Sequence, residues 1–163
     1  MHVRPARDDD APAIASIYSY FVERSVATFD TRPTSAENRR DWMATFSATG
    51  PHRLFVAVDD GEVVGYACSS PYRSHPAFDE TVEFSVYIAA SAHGNGVGSA
   101  LYERLISELQ AERVHRAVVG IALPNDASVR LHERFGFERV GVFDEYAQKN
   151  GLRISSVWMQ RRL

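Results

Sequence analysis

Three glycines spaced by two, Gly94, Gly96 and Gly98, follow the alternating run Ser85-Val86-Tyr87-Ile88-Ala89 by way of His93 and open into Ser99-Ala100-Leu101. Glycine bends the backbone through conformations closed to residues with a Cβ, so successive N–H groups can converge on phosphate oxygens. A helix beginning near Gly96 adds its unpaired N–H groups and a positive dipole end of about half a charge. The neighbouring residues narrow the ligand. A triphosphate loop needs Lys after its last glycine, and Gly98 is followed by Ser99 and Ala100. The dinucleotide fingerprint is G-x-G-x-x-G with an acid roughly 20 positions on. Here the spacing is G-x-G-x-G, and Val114 to Val118 holds no acid. What remains is another phosphate-bearing ligand, or a strand-to-helix turn with no ligand.

Two further sets of polar residues stand near this turn. Asn125, Ser128 and His132 are three and four residues apart, so on a helix starting near Asp126 they share one polar face, with Leu131 and Phe135 toward the core. Such a stripe is either a solvated surface or a ligand-facing one. Glu83 lies in Val82-Glu83-Phe84-Ser85-Val86, where strand alternation sends it opposite to Val82, Phe84 and Val86. By periodicity alone it is a carboxylate on the wet face of a sheet.

The elements that must position these groups are legible in outline. His2 to Pro5 reads as a strand, and Asp10 and Pro12 supply a cap and first-turn proline for a helix through Ile14, Ile17, Tyr18 and Phe21 that ends near Arg24. Ser25 to Pro33 is an irregular connection holding Phe29 and Arg32. Thr34 and Glu37 have capping-box spacing for a second helix with Trp42 and Phe46. Strands at Arg53 to Val58 and Glu62 to Ser70 flank the turn Asp59-Asp60-Gly61, and Pro71 to Glu80 is a loop. Thr81 to Ala89 alternates as a strand. Val97 to Glu112 is a helix with Leu101, Leu105, Ile106 and Leu109 on its core side, and Val114 to Leu123 is another strand. The last three form a right-handed βαβ unit with parallel strands. A helix from Asp126 to Phe135 stops at Gly136, and strands at Phe137 to Asp144 and Arg153 to Gln160 surround a turn at Lys149 to Leu152.

The chain has 163 residues, 45% of them apolar, which suits one compact α+β domain. With 18 basic and 21 acidic residues, and no basic run beyond Arg39-Arg40 and Arg161-Arg162, nucleic acid is a poor partner. Cys68, the lone cysteine, sits in an apolar strand-like run and has no disulfide partner within the chain. No apolar stretch approaches the ~20 residues that span a bilayer, and the acidic Asp8 to Asp10 does not resemble a leader, so a cytoplasmic location is expected.

The order β-α-α-β-β-β-α-β-α-β-β, with a glycine turn after the fourth strand and Asn125-Asp126-Ala127-Ser128 after the fifth, resembles the GNAT superfamily of acetyl-coenzyme A-dependent N-acetyltransferases. Within it the chain is most similar to the phosphinothricin and methionine sulfone acetyltransferase branch. The resemblance rests on Thr28-Phe29-Asp30-Thr31-Arg32-Pro33, Thr81-Val82-Glu83, Ser85 to Ile88, Gly96-Val97-Gly98, Leu123 to Glu133 and Gly136-Phe137. It implies residues 1–163 as one domain, with a mixed, mostly antiparallel sheet of about six or seven strands flanked by about four helices.

It also implies roles. Val86, Tyr87 and Ile88 would bind the pantetheine arm of acetyl-coenzyme A through their backbone, and His93, Gly94, Asn95, Gly96, Val97, Gly98 and Ser99 would hold its pyrophosphate, with Asn125 and Ser128 as further contacts. His93 stands where the superfamily usually has Gln or Arg, and is either a phosphate contact or an exposed loop histidine. Glu83 would take the proton of the acceptor amine. His132 would protonate the departing thiolate or hold groups in place. A backbone N–H near Tyr87 or Ile88 would stabilise the oxyanion. Phe29, Arg32, Arg73 and Phe78 fall in the two loops that close over the acceptor, and either arginine could pair with an anionic group or stand on the surface. No metal is expected, and a homodimer is. The C-terminal Lys-x-Gly-x-Trp-x-Asp-like segment of the branch reads Lys149-Asn150-Gly151-Leu152-Arg153-Ile154-Ser155, without the aromatic and the acid.

The expected activity is direct acetyl transfer to a small amino-acid-like amine. Acetylation of a peptide or protein, and a non-catalytic acyl-coenzyme A-binding module, are the alternatives. The module would need neither Glu83 nor His132.

Overall fold

A computed structural model describes residues 1–163. Seven strands form one sheet in the order β1-β2-β3-β4-β5-β7-β6. They are β1 (His2–Pro5), β2 (Leu54–Asp59), β3 (Glu62–Pro71), β4 (Thr81–Ile88), β5 (Arg116–Ala122), β6 (Glu138–Lys149) and β7 (Leu152–Arg162). Every neighbouring pair is antiparallel except β4 with β5. Asp60-Gly61 and Asn150-Gly151 make the two-residue hairpin turns, with positive φ at all four residues, as the right-handed twist of the flanking strands favours.

Four α-helices cover the sheet: α1 (Ala11–Arg24), α2 (Ala36–Met43), α3 (Val97–Leu109) and α4 (Asp126–Arg134). On one face α3 buries Val97, Leu101, Tyr102, Leu105, Ile106 and Leu109 against Phe55, Val82, Phe84, Ala117 and Val119, with Val129 of α4 alongside. The opposite face packs Ile14 and Ile17 of α1 and Met43 of α2 on Val56, Tyr66 and Cys68. Cys68 is buried there and its thiol is pushed up to about 11 by desolvation. No helix is long and apolar enough to cross a membrane.

Several local expectations are corrected. Asp10 does not cap α1 with its side chain. It takes two hydrogen bonds from the Arg4 guanidinium (2.7 and 2.8 Å) and one from the Arg7 N–H, so the ion pair at the foot of β1 outcompetes the cap. The second helix is capped by Ser35, whose Oγ accepts from the Asn38 N–H, because Thr34 is held by Ser19. That helix ends at Met43, so Phe46 lies beyond it. Strand β6 runs five residues past the expected Asp144. An irregularity between Phe143 and Ala147 carries Glu145 at φ 45°, and Ser155 Oγ accepts from the Glu145 N–H while donating to Asp144 Oδ1.

Candidate active site

The parallel pairing of β4 with β5 spans only Thr81–Arg116, Val82–Ala117 and Glu83–Val118. Beyond that rung β4 keeps β3 as its partner and β5 keeps β7, so the two central strands part like the arms of a fork. The backbone groups of Phe84 to Ile88 that face β5 are left without a strand partner, an arrangement that a polar ligand can satisfy. An inner cavity of about 60 Å³ occupies the fork, lined by Phe84, Ser85, Val86, Tyr87, Val119, Gly120, Asn125, Ser128 and His132 among others.

Outward from the fork runs a groove of about 500 Å³. Val86, Tyr87 and Ile88 line it, as do His93, Gly94, Gly96, Val97, Gly98, Ser99, Asn125 and Ser128. Asn95 is the one expected coenzyme residue that does not: it sits on the exposed outer side of the turn. Gly96 is the N-cap of α3 at φ 76°, a left-handed conformation that lets the turn enter the helix. His93 does not stand free. Its Nε2 lies 3.0 Å from the Ile88 carbonyl oxygen, tying the glycine turn to the end of β4. Arg130 and Arg134, one turn apart on α4, also line the groove, and Arg134 donates to Ser99 Oγ at 3.2 Å. Sequence reasoning passed over both arginines. Their i, i+4 spacing on the side of α4 next to the glycine turn was the available signal.

Asn125 caps α4: its Oδ1 accepts from the Ser128 N–H at 3.1 Å, which leaves its amide NH2 available to a ligand. Asn125, Ser128 and His132 line the inner cavity together and Leu131 and Phe135 pack against the core, but His132 is 1% exposed, a buried group and not part of a solvated stripe. The Ser128 carbonyl lies 2.7 Å from His132 Nδ1, and a carbonyl can only accept, so Nδ1 carries the proton. Nε2 then accepts from the fully buried Tyr102 hydroxyl at 2.7 Å. Burial pulls the histidine pKa down to about 4. The imidazole is therefore neutral, with both nitrogens engaged, and its one N–H does not point into the groove.

Glu83 occupies the last rung before the fork and points to the face away from α3 and α4. Desolvation raises its pKa, with no opposing contribution. The same face holds a row of aromatic rings: Phe78–Tyr72 (5.4 Å between centroids), Tyr72–Trp158 (6.1 Å), Trp158–Phe143 (6.5 Å), Phe143–Tyr146 (5.2 Å) and Tyr146–Phe29 (6.0 Å). Trp158 lies over Gly120, where a Cβ would come within 2.9 Å of the indole, so only glycine lets the ring close down on β5 at this rung. Its Nε1–H is shielded from solvent and has no partner. Arg73 stands 5.1 Å over Tyr72 and 5.8 Å from the Phe78 ring centre. Phe29, Phe78 and Arg73 thus belong to one surface. Arg32 does not join it and remains on the exposed loop. Tyr72, Phe143, Tyr146 and Trp158 are not among the acceptor residues expected from the sequence. No group of three His, Cys, Asp or Glu side chains is arranged to hold a metal ion.

A sheet parted beside a helix that begins on a glycine bend is built to lay a long, phosphate-tailed ligand across its strands. Comparison with known proteins gives this class its family. The sequence model of the acetyltransferase (GNAT) family matches residues 14–137, and the chain belongs to that family. A phosphinothricin N-acetyltransferase of Streptomyces coelicolor is 45% identical over 165 aligned residues, covering 100% of this chain and 96% of that protein. An L-methionine sulfoximine/L-methionine sulfone acetyltransferase of Pseudomonas aeruginosa is 35% identical, covering 99% and 94%. The crystal structure of a phosphinothricin acetyltransferase from Sinorhizobium meliloti in complex with acetyl-CoA superposes with a TM-score of 0.93 at 31% identity, covering 99% of this chain and 87% of that one.

Proposed function

We propose that this chain, acting as one domain in the cytoplasm, transfers the acetyl group of acetyl-coenzyme A to the amino group of a small amino-acid-like acceptor of the phosphinothricin or methionine sulfone/sulfoximine type, by direct attack in a ternary complex. The fork between β4 and β5 carries this reading, because it joins a groove with an anion-binding end to a face bearing a desolvated carboxylate. The groove suits the coenzyme along its length. Glycine-turn N–H groups, the start of α3, Arg130 and Arg134 offer positive charge to phosphates, and the unpaired edge of β4 with the Asn125 amide offers partners to the pantetheine amides.

At the reacting centre an ammonium has no lone pair, so the acceptor must first lose a proton. Glu83 takes it, directly or through water; its raised pKa makes it a stronger base than an ordinary carboxylate. The nitrogen attacks the thioester carbonyl, an unpaired N–H of β4 past Glu83 receives the oxyanion, and collapse expels the thiolate. His132 holds Ser128 and α4 at the groove wall. Its Nδ1 proton stays donated to the Ser128 carbonyl, so the departing thiolate takes instead the second proton that the acceptor nitrogen sheds as the amide forms, directly or through water. Arg73 pairs with an anionic group of the acceptor, and the aromatic row contacts its apolar part. Two copies associate through the apolar outer strand β6.

The test is thiol release from acetyl-coenzyme A with methionine sulfone, methionine sulfoximine, phosphinothricin, simple amino acids and short peptides. Release with the amino-acid analogues supports the reading, and a preference for peptides replaces it with a peptide acetyltransferase. Tight coenzyme binding with no release for any amine makes the chain a binding module. In the active enzyme E83Q should lower kcat by about 10²–10⁴ while coenzyme affinity stays within twofold. Undiminished turnover at neutral pH removes Glu83 from the mechanism.

A further inference from the structure

Lys149, the last residue of β6, is 3% exposed although it adjoins a surface turn. Its ammonium donates to the carbonyl oxygens of Ser25 (2.8 Å) and Thr28 (2.9 Å), 124 and 121 residues earlier in the chain. Burial lowers its pKa, and Asp30 is the opposing charge that acts on it. An ammonium is costly to desolvate, so a buried one that spends its protons on two loop carbonyls has a specific segment to hold.

That segment, residues 25 to 30, has no regular structure and separates the two halves of the site. Ala27 lines both the inner cavity and the coenzyme groove. Two residues on, Phe29 turns the other way and ends the aromatic row against Tyr146. The remaining ties come from α1 and β4: Tyr18 Oη lies 2.7 Å from both Thr28 Oγ1 and Asp30 Oδ2, and the Tyr87 hydroxyl donates to the Ala27 carbonyl at 3.4 Å. From the β6–β7 hairpin, which supplies Phe143, Tyr146 and Trp158 to the same row, the hydrogen bonds to this segment are those of Lys149, beside the ring contact of Tyr146 with Phe29.

We propose that Lys149 is a positioning residue for acceptor recognition: it straps the segment from Ser25 to Asp30 to the β6–β7 hairpin, fixing Phe29 at the end of the aromatic row. This rests on the acceptor face assigned above. K149M keeps an unbranched side chain as far as Cε and removes the ammonium donors. It should raise the acceptor KM about tenfold or more, with kcat and the acetyl-coenzyme A Kd each within threefold. F29A should raise the same KM, and K149M/F29A no further than the larger single effect, because Lys149 acts through Phe29. An unchanged acceptor KM in K149M, or single effects that multiply in the double variant, overturns the proposal. If K149M does not fold, K149R keeps the cation but overreaches both carbonyls, and its acceptor KM should rise about fivefold; an unchanged value overturns the proposal equally. Trypsin cleavage after Arg24 reads the strap without any acceptor: it should be about tenfold faster in K149M, and an unchanged rate refutes the strap itself. A wild-type protein that acetylates no amino acid would instead refute the acceptor reading.

Discussion

A histidine that is neutral because it is buried makes folding sensitive to acid. His132 titrates near 4 in the fold and near its ordinary 6.5 when unfolded, so between those values the unfolded chain binds the proton and the folded chain refuses it. Stability should therefore fall as pH drops from 6.5 toward 4, by about 3 kcal/mol for this one group. Urea unfolding midpoints measured across that interval check it, and an H132Q variant should lose that part of the slope. Glu83 has the opposite role in activity. Its carboxyl holds its proton to higher pH than usual, so the acid limb of kcat should lie above the ordinary value of 4.5 and vanish in E83Q. Both residues are legible by type and by the face they occupy; what the sequence does not show is that each is desolvated. The sign that His132 turns inward was Tyr102, which shares the buried stripe of α3 with Leu105 and Leu109 and must find a partner for its hydroxyl there.

The residue that caps helix α4 also lines the groove. Asn125 holds the Ser128 N–H, so N125A should cost about 1 kcal/mol of stability. It should also weaken acetyl-coenzyme A binding severalfold, because the free amide borders the groove; calorimetry beside thermal melts separates the two effects. The βαβ unit was legible because it is written locally, as an alternating strand, a glycine bend and an amphipathic helix. The two hairpin turns were legible for the same reason, each being a short Asp-Gly or Asn-Gly signal. The length of β6 was not, since it depends on a tertiary exchange in which Ser155 of β7 supports the left-handed Glu145. That exchange involves one of the two positions at which the C-terminal segment departs from its branch, and the serine brings the Asp144 carboxylate next to itself from the neighbouring strand.

Across the whole molecule, what escapes the sequence is whatever is assembled from distant pieces. The aromatic row draws on Phe29, Tyr72, Phe78, Phe143, Tyr146 and Trp158, four separate stretches that no spacing rule connects. The outer edge is a second case. Strand β6 closes one side of the sheet with Val140 63%, Val142 57% and Phe143 56% exposed, apolar residues on a strand with unpaired backbone groups. An edge of that kind calls for a partner. If two copies meet there, sedimentation should report a dimer that V142K converts to a monomer. A monomeric wild type at micromolar concentration would remove the association.

The parting of β4 from β5 at Glu83 makes the sheet a partition with a single slot. On the proposed mechanism donor and acceptor would approach it from separate rooms and touch only at the opening, so neither would have to be buried beneath the other. Spent carrier would then back out by its own door while the next amine waits on the far side.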